Sequence, residues 1–562
     1  MRRLLVALVC TGSALMAPAA ATALSWTPVT GPTGSILDEV GTVRGPDGTL
    51  HVVWSRDTPG TGGTTDDLVQ APVSAGGIVG SPTLIASGYS SLNNPAIVNT
   101  PGGGLEVFFG GIQCPSSSCP SGLFSVNSSD GGRTWGAPTA LYDRNSNYSS
   151  GLGAVTLPDG TPFETWYATF GTFEHRGSDG STPDYDYQTA MGARCCGYYS
   201  NLAADGSGNV EMAWDSNATG FLGVWARQVD PATGAPAGSP MQMPGSVTSY
   251  GGAPNSVQML QRTPLIALPG RVGQFYVAYP GGYPTATKVL LWRVGSAAGT
   301  TIVSESGDHN QVSLAADAND RLWVFWTHAV NDVPHVYARR LGPAGLEPAI
   351  DLGSPAHTQS IYALDGAVSP GGDPEALALD TVASGIDQTY YIRGPQVAPP
   401  RNGASVDLVK VSGNVTFKLP GHGPYFTLLD RQQVPVGTTV DSTHGNVRIQ
   451  AARPSGAIES ADVSGGPFAI SQGRRQSLVS LKLVRFNACA NHSAKTLFVS
   501  GGAFATGERY AIVTATHSAT WTAEDECPGT LVKVTGGTVS VRDLVRRTTV
   551  TVHAGHGYLA RR

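Results

Sequence analysis

Charge is scarce in this chain. Only 14% of its 562 residues are Asp, Glu, Lys or Arg. No long basic run occurs, which argues against nucleic acid as a partner. After Met16 no stretch is apolar enough to span a membrane. Helix-forming runs are rare. The short signatures of hydrolytic and nucleotide chemistry are missing: there is no Gly-x-Ser-x-Gly, no His-Glu-x-x-His and no phosphate loop. Nor is there a Cys-x-x-Cys pair or a His-x-x-x-His, so a zinc site is not expected. His422, His444, His517, His553 and His556 are scattered and read as surface or packing residues.

What is plentiful is glycine, 72 residues of it. Short Val/Trp/Tyr-rich runs alternate with Gly/Asp/Pro/Ser turns, an all-β texture. The chain opens with the pattern of an export signal: Arg2 and Arg3, a mostly apolar run from Leu4 to Met16, then Ala21-Thr22-Ala23. The expectation is a secreted, extracellular protein starting near Leu24. About 540 remaining residues exceed one ordinary core and call for two or more domains, or for a closed repeat array.

Charge is also unevenly placed. Residues 401–562 hold 18 Lys/Arg against 10 Asp/Glu, and the rest holds 17 against 31. A basic tail on an acidic body suggests an anionic partner for the tail, such as an envelope polymer.

Six of the seven cysteines lie beyond the signal, and export favours disulfides. Cys114 and Cys119 bracket a short loop. Cys489 and Cys527 both fall in the tail. If those two pairs form, the adjacent Cys195 and Cys196 bond to each other or stay free.

A turn followed by five strand residues recurs through the first two-thirds of the chain. The copies are LHVVW (50–54), LEVFF (105–109), PFETW (162–166), VEMAW (210–214), FYVAY (275–279), LWVFW (322–326) and a weak ALALD (376–380). The first six end in an aromatic residue. A period near 50 fits a four-stranded propeller blade. The terminal aromatics would pack between neighbouring blades. A second strand follows most copies, as in DLVQAPVS (67–74) and GVWARQVD (223–230). The opening SWTPVTG (25–31) has the character of a missing fourth strand for the last blade. Seven blades follow; six is the alternative, with ALALD as linker.

One short string supports this reading. SSDGGRTW (128–135) resembles the Asp-box of sialidase-type β-propellers, with Ser128, Asp130, Gly132, Thr134 and Trp135 on the pattern. The box is a turn between third and fourth strands. Asp130 would accept from the N–H groups of its own turn. Gly132 would supply positive φ, and Trp135 would pack into the blade. The resemblance covers the architecture of about residues 25–395. The family's first arginine, in Arg-Ile-Pro, has no counterpart. Arg262-Thr263-Pro264 is the nearest string but lies in blade five, and Arg44 in blade one lacks the proline. No catalytic residue carries over, so the primary expectation is a non-catalytic binding protein, with a sialidase-like glycoside hydrolase as the alternative.

A propeller binds ligands at the mouth of its channel, on the segments leading into the innermost strands. Tyr148, Cys195, Cys196, Tyr198, Tyr199, Asn201, His309 and Asn310 lie on such segments and are the candidate ligand residues. Asn and Tyr suit sugar hydroxyls, so a glycan or a protein is the expected ligand. Blade three carries a polar insertion, FEHRGSDGSTPDYDY (173–187), read as a loop extending over the ligand face. Asp179, Asp184 and Asp186 within it are a weak calcium candidate on a spacing that matches no known loop. No other cofactor is expected.

Near residue 395 the repeat stops. RGPQVAPPRNG (393–403) reads as a Pro-rich linker. The domain plan is therefore signal 1–23, propeller 24–394, linker 395–404 and tail 405–562. VPVGTTVDSTHGNVRI and the segment from Gly529 to Arg562 look like a FecR-like domain. The carrying features are Pro435 to Thr438, Gly529-Thr530, Gly536-Gly537 and Val539-Ser540-Val541. That resemblance implies a compact β-roll or jelly-roll-like module. The spanning helix of membrane-bound relatives has no counterpart, so their signalling role does not carry over.

Overall fold

The computed structural model describes residues 24–562 except 33–39, 63, 115–118, 144–149, 169–170, 177–184, 187–196, 217–220, 247–261, 282–286, 305–308, 310, 343, 385, 422 and 485–494. Tyr148, Cys195, Cys196, Asn310, Asp179, Asp184, Cys489 and the proposed signal lie outside the described residues.

Every repeat copy is the second strand of a small antiparallel sheet. In blade one the strands are Gly41–Arg44, Leu50–Asp57, Asp66–Val73 and Thr83–Tyr89, paired in that order. Five further blades follow with consecutive strands, spanning residues 91–143, 150–186, 197–242, 265–304 and 312–353. These six sheets are each local in sequence. A seventh sheet needs both ends of the repeat region. Ser360–Val368, Pro374–Ala383 and Ile386–Arg393 supply three strands, and Thr27–Pro28 adds the fourth by pairing with Tyr391 and Tyr390. Trp26 secures this closure, its indole N–H donating to the Leu352 carbonyl at 3.1 Å.

Burial explains the repeat. Trp54, Phe109, Trp166, Trp214, Tyr279 and Trp326 are all at most 1% exposed. Each sits between two sheets. Trp54, for example, packs with Leu377 and Leu379 of blade seven, and Phe109 packs with Val53 and Leu68 of blade one. A blade alone would leave both faces wet; in the ring each face is covered by a neighbouring blade. In the weak seventh copy Asp380 takes the aromatic's place. Burial pushes its carboxyl up to about 7, the Thr358 hydroxyl pulls the other way, and the charge of Asp387 adds to the rise.

The inner strands must crowd round an axis. A Cβ on Gly153 would lie 2.7 Å from the Asn201 Cα of the next blade. One on Gly366 would press into the Phe325 ring. Glycine at these places permits close approach of backbone to its neighbour.

Beyond the ring, fifteen strands from Ser405–Lys418 to Gly557–Arg561 form one sheet. Its two longest strands, Ser405–Lys418 and Thr439–Ala452, pair along their length. Alternation drives its curl: in Ala519–Glu526 every second residue is buried. The inward set, including Phe417, Phe468, Trp521 and Val541, makes a single core. The tail docks on blade six through buried ions. Arg321 pairs with Asp317 at 2.5 Å within the blade and with both oxygens of Asp430 in the tail. Arg340 pairs with Glu347 at 2.8 Å and donates to the Arg431 carbonyl at 2.6 Å.

Part of the polar insertion of blade three is strand: Gly171–Arg176 is the blade's third strand and Tyr185–Asp186 its fourth. Residues 177–184 between them, which carry the loop expected on the ligand face, lie outside the described residues. The strand character of Phe173, Glu174 and His175 is hidden in the sequence by the charges that follow.

Candidate functional site

The innermost strands of all seven sheets line one cavity of about 220 Å³. Its wall includes Thr42, Ala96, Ala154, Asn201, Arg262, Ser313 and Asp365, one from each blade. This lining is the plainest sign that the sheets form a closed ring.

Arg262 sits immediately before the first strand of blade five, Leu265–Ala267. Its guanidinium does not stay with that blade. It donates to the Val40 carbonyl of blade one at 2.6 Å and to the Leu152 carbonyl of blade three at 3.3 Å. Neither blade is a neighbour of blade five, so the side chain crosses the channel axis. Both carbonyls lie near the beginnings of their inner strands, which places the crossing at the mouth.

Asp365 faces it from blade seven. Thr42 donates its hydroxyl to one carboxylate oxygen at 2.5 Å. Ser313 at 3.3 Å and the Gly366 N–H at 3.0 Å donate to the other. Burial pushes the Asp365 carboxyl up, and the Arg262 charge and these donors pull it back. Thr42, Asp365 and Ser313 join blades one, seven and six. Blade four contributes Asn201, whose amide donates to the Thr263 carbonyl at 3.0 Å while its oxygen accepts from the Leu202 N–H at 3.0 Å.

Of the sequence candidates, Asn201 lines the cavity; Tyr199 lies two residues before it on the same inner strand and is not part of the wall. Tyr199 is half-buried with φ of 53°, at a bulge in the inner strand Gly197–Ala204. Its carbonyl accepts from the Thr263 N–H at 2.8 Å. Such a conformation is uncommon for a non-glycine residue. Tyr198 belongs to the same strand. His309 is buried on the lead-in to blade six, its ring stacked on His328 with centroids 4.9 Å apart. It packs within the blade and does not line the cavity. Asp186 sits in the outermost strand of blade three, away from the cavity wall. Among the described residues no three His, Cys, Asp or Glu side chains are grouped to hold a metal ion.

Sequence reasoning misses Arg262, Thr42, Ser313 and Asp365 as site residues. Arg262 has a visible signal in Arg-Thr-Pro, but in a blade where the family pattern does not place it. The other three carry none.

The Asp-box is built as its pattern implies. Asp130 accepts from the N–H groups of Arg133 at 3.0 Å and Thr134 at 2.9 Å, and from the Thr134 hydroxyl at 2.7 Å. These bonds, the Thr134 N–H first, hold its carboxyl down at about 2. Gly132 has φ of 81°. The turn joins the third and fourth strands of blade two, Ser121–Ser128 and Thr139–Asp143, remote from the cavity.

A disulfide joins Cys114 and Cys119, as the short loop between them suggests. No helix among the described residues is long and apolar enough to cross a membrane.

No protein-family model matches the chain, and no curated protein is significantly similar to it; the FecR-like resemblance of the tail finds no support there. Solved structures do resemble it in fold. An intramolecular trans-sialidase from Ruminococcus gnavus shares 10% identity over 64% of this chain and 95% of its own, with a TM-score of 0.40. A sialidase from Streptococcus pneumoniae shares 8% over 64% and 68%, with a TM-score of 0.41. An α-L-arabinofuranosidase from Fusarium graminearum shares 15% over 54% and 91%, with a TM-score of 0.36. Likeness this remote assigns no activity.

Proposed function

We propose that the propeller engages a carbohydrate at the mouth of its channel. One observation supports this reading above the rest. Seven inner strands bring a guanidinium, a carboxyl, two hydroxyls and an amide round a single small cavity. Such groups suit the hydroxyls of a sugar, which both donate and accept. The cavity is smaller than the ~300–1,000 Å³ of typical ligand pockets, and Arg262 bars the axis. The ligand is therefore the end of a glycan and not a chain threaded through the ring. The net positive charge of the tail suits attachment to an anionic surface.

Hydrolysis of a glycoside is the second reading, favoured by Asp365. Its buried carboxyl, pushed up, is a store for a proton. It is the sole carboxyl among the described residues lining the cavity, and glycosidases use two. That deficit is why binding stands first.

A glycan array probed with the purified protein tests both. Retention of a defined set of glycans, weakened at least tenfold by Asn201→Ala with the circular dichroism spectrum unchanged, is the expected result. Unchanged retention in that variant removes the site. Release of sugar from aryl glycosides, abolished by Asp365→Asn, would replace binding by hydrolysis.

A further inference from the structure

Before its last strand the tail forms a hairpin with an apolar and basic tip. Thr538–Asp543 and Thr549–His553 are its strands. The turn between them carries Leu544 and Val545, which are 39% and 49% exposed. Single exposed apolar residues are ordinary; what distinguishes this turn is that two of them are adjacent and flanked by arginines. Arg546 and Arg547 follow directly and are exposed, as is Arg542 just before. Arg509 stands beside them, because the Leu544 N–H donates to the carbonyl of Tyr510 at 2.9 Å. None of these four arginines forms an ion pair with a carboxylate among the described residues.

The tip is held in shape. Asp543 is buried and accepts from the N–H groups of Val545 at 2.9 Å and Arg546 at 2.8 Å. The Tyr558 hydroxyl donates to its other oxygen at 2.9 Å, and its own N–H donates to the Thr548 carbonyl at 2.8 Å. Arg547 has φ of 57°, where glycine or asparagine would sit with less strain. The chain thus keeps an arginine where the backbone prefers another residue, on a turn too well bonded for Leu544 and Val545 to fold inward.

We propose that this tip docks on the surface of an anionic lipid bilayer. Two apolar side chains enter the headgroup boundary, and the four arginines meet the phosphates. Charge complementarity selects an anionic partner. The apolar pair selects a bilayer over a soluble polyanion, since a polymer of charged units offers Leu544 and Val545 no apolar phase. The contact is shallow, peripheral and sensitive to salt.

Co-flotation of the purified full-length protein with vesicles tests this. Vesicles of phosphatidylcholine mixed with phosphatidylglycerol should carry the protein at low salt; pure phosphatidylcholine should not. Arg546→Gln with Arg547→Gly should lower partitioning about twenty-five-fold, about fivefold per arginine. Leu544→Ser with Val545→Ser should lower it by a similar factor. Both double variants alter exposed side chains only, and unchanged melting curves confirm that they fold. Absence of flotation at low salt overturns the proposal. So does flotation that survives the Leu544/Val545 change, which would mean a purely ionic contact with polyanions. Equal binding to neutral vesicles overturns it as well.

Discussion

Replacing Glu508 by glutamine should make the protein tolerant of alkali. Glu508 lies buried in the core of the tail. Burial pushes its carboxyl from 4.5 up to about 8; the Thr506 hydroxyl pulls it back in part, and the charge of Asp525 pushes it further up. Asp525 is itself buried, accepting from the Thr530 hydroxyl at 2.5 Å, so the two carboxyls share a site that cannot easily hold two charges. The folded state therefore keeps a proton that the unfolded chain gives up above about 4.5. With more protons bound in the folded state than in the unfolded one, stability falls as pH rises. The full stabilisation is present below about 4.5 and is lost as pH climbs to about 8. The rise of about 3.5 units, at 1.36 kcal/mol each, sets an upper figure of about 5 kcal/mol for the loss. Glutamine reproduces the protonated acid and has nothing to lose. Calorimetry of the full chain at pH 5, 7 and 9 reads the effect. The transition of the tail should drop between pH 5 and 9 in the wild type, and Glu508→Gln should recover about 10 °C of it at pH 9, at roughly 2–4 °C per kcal/mol for a unit of this size. At pH 5 the two proteins should melt close together. A constant gap between them at all three pH values would refute the reasoning, because it would show that the proton at Glu508 does not differ between folded and unfolded states.

Two further outcomes follow from the described contacts. Arg321→Met removes the cation between Asp317 and Asp430 and leaves two carboxylates without it at the joint, at a cost of about 3–5 kcal/mol; limited proteolysis should then cut the Pro-rich stretch near residue 400 faster while the propeller stays intact. Asp130→Ala deletes the acceptor that organises the Asp-box turn, so the propeller transition should move to lower temperature while glycan retention stays as in the wild type.

How much of this is legible in advance depends on how far each feature reaches along the chain. The repeat is legible because each blade solves the same local problem: a strand that must be apolar on both faces, ending in a large ring that fills the wedge to its neighbour. The Asp-box is legible for a similar reason, since Ser128, Asp130 and Thr134 bond to one another within a few residues. The seventh blade is half legible. Its second strand has Asp380 where the ring should be, and its fourth strand, Thr27–Pro28, comes from the opposite end of the repeat region to its partners Tyr390 and Tyr391. The insertion of blade three misleads because charged residues in a loop and charged residues on an outer strand have the same composition.

The cavity residues belong to the opposite case. Arg262 bonds to carbonyls 110 and 222 positions away, and Thr42 bonds to Asp365 across 323. A main-chain carbonyl has no side-chain identity, so nothing at Val40 or Leu152 announces an arginine partner. A conventional sialidase comparison looks for an arginine early in the chain and passes over one in blade five. Yet a ring makes chain position irrelevant to reach: every inner strand is equally near the axis, and a long side chain from any blade can touch the others. An arginine committed to two main-chain carbonyls holds less of its charge free for a ligand than one that faces solvent, and the same commitment ties three blades that do not otherwise meet. On the proposed reading, the groups left for a ligand are therefore to be sought beside that crossing, at Asn201 on the cavity wall, with Arg262 and Asp365 holding the inner strands in place.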